Sequence, residues 1–125
     1  MRERLVGTWA VLLALLLLLD ACGELEPEER RAQLEGVWRS APVASEFGLA
    51  VVTLALQPDG TYSLRFDPVE SDLPAWTGRG IWRVEDRWLV LEGMRELRRH
   101  MALREDALDL AGTGNEATWR LHRVR

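Results

Sequence analysis

From Gly36 onward the chain is organised by short runs in which apolar and polar residues alternate, separated by turn residues; that texture predicts strands. The clearest run is "TYSLRF" at 61–66, with Tyr62, Leu64 and Phe66 on one face and Thr61, Ser63 and Arg65 on the other. Before it, "GVWRS" at 36–40 predicts a first strand and "LAVVTLALQ" at 49–57 a second. The second is apolar on both faces, with Ala50, Val52, Leu54 and Leu56 set against Leu49, Val51 and Ala55. "PDG" at 58–60 then makes a turn, with Pro58 fixing φ and Gly60 free to take φ > 0. "GRGIWRVE" at 78–85 sets Trp82 and Val84 opposite Arg79, Ile81 and Arg83, and "DR" turns the chain into "WLVLEG" at 88–93. "RELRRHMALRE" at 95–105 groups Leu97, Met101 and Leu103 against Glu96, Arg98 and His100, although its composition also suits a helix. Runs at 106–112 and 116–124 complete the set, joined by Gly-Thr-Gly-Asn at 112–115. "DPVESDLPAW" at 67–76 reads as a loop, because its two prolines do not suit a central strand.

About eight short strands joined mostly by hairpin-length turns predict an all-β, antiparallel, up-and-down meander. Left open, such a sheet exposes two hydrogen-bonding edges; closing it into a barrel removes them. An eight-stranded barrel has an interior just large enough for side chains or one small ligand. A two-sheet sandwich is the rival, and the hairpin spacing carries no Greek-key signal.

The first third of the chain has a different texture. Met1–Arg4 carries two arginines, and Leu5–Leu19 continues as fifteen residues without a charge. As a helix this run spans about 22 Å, against the ~30 Å of a hydrocarbon core. It is short for a spanning segment and right for the apolar region of a signal peptide. "ELEPEERRAQLE" at 24–35 is polar and rich in Glu; it reads either as a solvated tether or as a spacer with one or two helical turns, Pro27 opening the helix and Glu28 and Glu29 near its positive end.

Leu19-Asp20-Ala21-Cys22 resembles the bacterial lipobox, in which an aliphatic residue and two small residues precede the cysteine that is lipidated. Asp20 departs from that pattern. Cys22 is the only cysteine, so no internal disulfide can form. The resemblance implies that Cys22 becomes the first mature residue and carries a diacylglyceryl thioether, anchoring the chain to a membrane. Several acyl chains anchor firmly where one does not. Gly23, not Asp, stands after the cysteine, which by the sorting rule of enteric bacteria implies the outer membrane, on its periplasmic face. An uncleaved anchor and a secreted domain with a free thiol are the alternatives. The expected organisation is a signal peptide over 1–21, a tether and short helix over 22–34, and a barrel over 35–125.

Gly36-Val37-Trp38 matches the Gly-x-Trp that opens the first strand of lipocalins. The order of the later segments also resembles the small lipocalin-like domains of bacterial lipoproteins: a "LQPDGTY" hairpin, a "GRGIWRVEDRWLVL" hairpin, and "WRL" in the last strand. The resemblance covers about 34–124. It implies that Gly36 and Trp38 close the barrel floor, with Arg120 or Arg123 packing over the indole. The Thr-Asp-Tyr motif of lipocalins is absent, and the short strands imply a shallow calyx.

Composition narrows the chemistry. All 16 basic residues are Arg and the net charge is −4 with the signs mixed, so no basic face suited to nucleic acid stands out. His100 and His122 lie too far apart, with no cysteine partners, to suggest a metal site. No serine sits in a nucleophile-elbow context and no glycine loop is built for phosphate. The expectation is therefore a protein without catalytic residues, metal or cofactor. Tryptophan carries more information. Trp38, Trp82 and Trp119 read as core, whereas Trp76 in the Pro-rich "LPAWTG" stretch reads either as a residue at the barrel mouth or as a loop residue folded over one end. A small apolar ligand would be held by Leu54, Leu64, Trp76, Trp82 and Leu97. The alternative is a periplasmic module with a filled barrel that binds an envelope protein, as an inhibitor or assembly factor, through a patch near Trp76 or Val51.

Overall fold

The computed structural model describes residues 27–93, 95–114 and 116–124; the expected signal peptide, Cys22 and the first part of the expected tether lie outside these residues. Helix α1 (Pro27–Leu34) opens with proline and carries Glu28 and Glu29 in its first turn, where the helix dipole favours acidic groups. No helix among the described residues is long and apolar enough to cross a membrane. The residues from Leu34 on form a compact unit of their own.

That unit contains β1 (Gly36–Ser40), β2 (Val43–Ser45), β3 (Gly48–Leu56), β4 (Thr61–Pro68), β5 (Trp76–Glu85), β6 (Trp88–Glu92), β7 (Glu96–Arg104), β8 (Ala107–Ala111) and β9 (Trp119–Arg123). Every pairing among the described strands is antiparallel. β3 to β9 succeed one another across the sheet, and β1 pairs with β9 on one side and β3 on the other. This closes an eight-stranded up-and-down barrel, with β2 as an extra strand on β3. Where β1 diverges from β3, the hydroxyl of the buried Ser40 accepts the Val52 N–H at 2.9 Å and carries the ladder one step further.

Period two sorts the side chains. Val52, Leu54 and Leu56 on β3, Tyr62, Leu64 and Phe66 on β4, and Leu108 and Leu110 on β8 all point inward and are buried. Ile81 points outward and is exposed. Val90 is buried on the outer face, between its cross-strand neighbours Arg83 and Arg98; long charged stems cover apolar surface in this way. Arg83 is ion-paired there with Glu85 and Glu92.

The 95–105 run is a strand, as its alternation predicts; β6 and β8 both bond to it and outweigh its helical composition. Two expectations are corrected. Trp76 is not in a loop; it is the first residue of β5 and pairs with Phe66. A ninth strand, β2, lies in "APVASEFG" at 41–48. Its hairpin is held by Ser45, whose hydroxyl accepts the Phe47 N–H and donates to the Gly48 carbonyl, with Gly48 at φ +85°.

Candidate functional site

The two ends of the barrel are built differently. One end is sealed around Trp38, whose indole N–H donates to the Leu34 carbonyl at 2.8 Å. The Arg123 guanidinium lies 4.2 Å from the centre of the Trp38 ring, and its Nη1 donates to the Glu35 carbonyl at 2.8 Å. Gly36 has φ +132°, and a β-carbon there would stand 2.8 Å from Arg123 Nη1. The Gly-x-Trp turn thus lets an arginine from the last strand reach the indole. Of the two arginines considered from the sequence, Arg123 holds this position. Arg120 does not: it alternates outward from Trp119 and Leu121, its side chain is 69% exposed, and it pairs with Asp109 at 3.0 Å. Trp82 packs at the same end, its indole N–H on the Gln57 carbonyl at 2.9 Å.

The opposite end opens into a cup of about 840 Å³. Its walls come from Leu64 and Phe66 on β4, Trp76 on β5, Leu97 on β7 and Trp119 on β9, with Tyr62 deeper. Aromatic contacts fix one wall: Phe47, from the β2–β3 hairpin, lies 5.5 Å from Trp76 and 5.4 Å from Phe66, and Phe66 meets Trp119 edge-on at 5.4 Å. β5 presents glycine at both inward positions between Trp76 and Trp82. At Gly80 a β-carbon would fall 1.8 Å from the Glu92 carbonyl oxygen, so the approach of β6 requires glycine. At Gly78 the nearest atoms would all belong to the Trp76 ring, the first at 2.6 Å, so the indole lies where a side chain would otherwise stand. Across the rim, Arg95 and Glu46 form an ion pair at 2.9 Å.

Of the five residues named from the sequence as ligand contacts, Leu64, Trp76 and Leu97 line the cup. Leu54 and Trp82 do not; both are buried in the packed half of the barrel. Sequence reasoning missed the most polar element of the cup. Arg99 on β7 points inward, its side chain only 8% exposed. Its Nη1 donates to the carbonyls of Ala117 at 2.9 Å and Leu110 at 3.3 Å, and the guanidinium lies 3.7 Å from the centre of the Trp119 ring. Burial pushes its pKa below the usual arginine range, while nearby Glu116 acts in the opposite direction. The signal for Arg99 was present in the parity of β7: residue 99 shares a face with Leu97 and Met101. Burial also raises the pKa of the Tyr62 phenol.

His100 lies outside the barrel, edge-on to Trp88, and His122 also faces outward. Among the described residues no three His, Cys, Asp or Glu side chains come together in an arrangement able to hold a metal ion. No known family profile matches the chain, and no curated protein is significantly similar to it.

Proposed function

We propose that this chain is a non-enzymatic, lipid-anchored envelope protein with a lipocalin-like barrel that takes a small apolar or amphipathic ligand into its open end. The observation that carries this reading is the asymmetry of the barrel. One end is packed around Trp38, and the other leaves a cup of about 840 Å³ walled by aromatic side chains. That size lies within the range of ligand sites, which are mainly apolar with a few placed polar groups. The Gly36, Trp38 and Arg123 arrangement supports the likeness to lipocalins. The anchor rests on Cys22 standing three residues past Leu19, the end of an apolar run too short for comfortable spanning.

A protein-binding role is the second reading, favoured by the exposed Val37 and Leu49 on the outer face of β1 and β3. It does not use the cup. Native mass spectrometry of the full chain released from its host membrane separates the two. The ligand reading predicts a non-covalent small-molecule adduct that is lost on mild activation. A bare chain that also fails to take up added amphiphiles contradicts it.

A further inference from the structure

The geometry points to carboxylate recognition: the mouth takes an amphiphile bearing one carboxylate, which docks on the Nε–Nη2 edge of Arg99 while its apolar part lies against Trp76, Phe66 and Trp119. This rests on the ligand-binding reading of the cup and specifies the ligand's chemistry.

Three features of Arg99 carry it. The guanidinium is buried and held in place, with both Nη1 bonds going to neutral carbonyls and Trp119 beneath its face. Its Nε is buried and has no hydrogen-bond partner among the described residues. Its Nη2 has only Glu116, at 3.6 Å, and that side chain is 54% exposed at the rim. The unsatisfied side is therefore the Nε–Nη2 edge, whose two parallel N–H groups match the two oxygens of a carboxylate. A purely structural buried arginine is expected to have its donors filled. The charge count favours a monoanion. Of the other two lining arginines, Arg95 is already paired with Glu46 and Arg79 alternates outward between Gly78 and Gly80 and is exposed, so Arg99 alone holds its charge inside the cup and a dianionic phosphate would leave one charge without a partner. Glu116 is then the group that the ligand displaces.

The test uses the full chain in phosphatidylcholine nanodiscs, with protein-free discs as the blank and tryptophan emission as the readout. Decanoate and the uncharged decanamide are titrated at pH 8. The proposal predicts roughly tenfold to hundredfold tighter binding of decanoate, the scale of a charge-assisted pair of hydrogen bonds. In Arg99→Gln the two ligands should bind alike. In Glu116→Gln decanoate should bind severalfold tighter and decanamide unchanged. Equal binding of both ligands to the wild type overturns carboxylate recognition but leaves the ligand reading standing. Saturable binding of neither overturns both. Weaker decanoate binding in Glu116→Gln also overturns the proposal, since Arg99 and Glu116 would then act as one unit. Should Arg99→Gln fail to fold, the wild-type ratio and Glu116→Gln decide alone.

Discussion

A β-carbon on Gly36 would stand 2.8 Å from Nη1 of Arg123, the arginine whose guanidinium covers Trp38. The first and last barrel strands are thereby fitted to one another by the absence of a side chain. Gly36→Ala should destabilise the barrel by about 1–3 kcal/mol, from positive φ together with this clash. Because part of the cost is contact with Arg123, it should shrink in an Arg123→Ala background. A double-mutant cycle by urea denaturation reads the coupling; strict additivity would show that the contact carries no energy.

Trp38 is wholly buried and donates its indole proton to Leu34. Trp38→Ala should cost about 3–5 kcal/mol, the range for truncating a large core aromatic. The same denaturation experiment checks it, and a loss under ~1 kcal/mol would mean that Trp38 does not seal the barrel.

The range of each signal determines how much of this was legible in the sequence. Period two is local, so "TYSLRF" assigned its own faces, and the eight barrel strands were placed to within a few residues. Parity also holds the answer for Arg123 and Arg99: each shares a face with apolar neighbours, Leu121 in one case and Leu97 and Met101 in the other. The run of charges around Arg99 masked that reading. β2 was not legible, because three residues are too few to show a period. Nor was the cup's depth. Leu54 and Trp82 carry the same inward parity as Leu64 and Trp76, and only the tertiary packing decides which pair is sealed.

Tyr62 is the only tyrosine in the chain, so the rise in absorbance at 295 nm on alkaline titration reports its ionisation above a constant tryptophan background. Burial raises its folded pKa. The unfolded value is about 10, so the stabilisation from keeping the phenol neutral is complete below pH ~10 and is lost as pH rises through the higher folded value. The titration midpoint of the folded protein should therefore lie above that of the urea-unfolded chain, and Tyr62→Phe should flatten this part of the alkaline stability profile. Coincident midpoints would place the hydroxyl in water.

The Trp76 ring covers Gly78, 2.6 Å from where a β-carbon would stand, so a side chain there must push the indole into the cup. Gly78→Leu should lower decanoate affinity at least severalfold while the circular dichroism of the barrel is retained. Unchanged affinity in a folded variant would put the ligand elsewhere.

Cys22 stands just beyond an apolar run of fifteen residues. Cys22→Ser should move the chain out of the membrane fraction, read by fractionation and immunoblotting. Continued membrane retention would mean that the apolar run, not a lipid, is the anchor.

The indole N–H resonances offer the most direct test of a ligand in the open end. Trp76 and Trp119 line the cup, whereas Trp38 and Trp82 are bonded to Leu34 and Gln57 at the sealed end. In ¹H–¹⁵N spectra of the full chain in nanodiscs, added decanoate should shift the first two saturably and leave the second two in place. No saturable shift, or shifts centred on Trp38 and Trp82, would contradict the account.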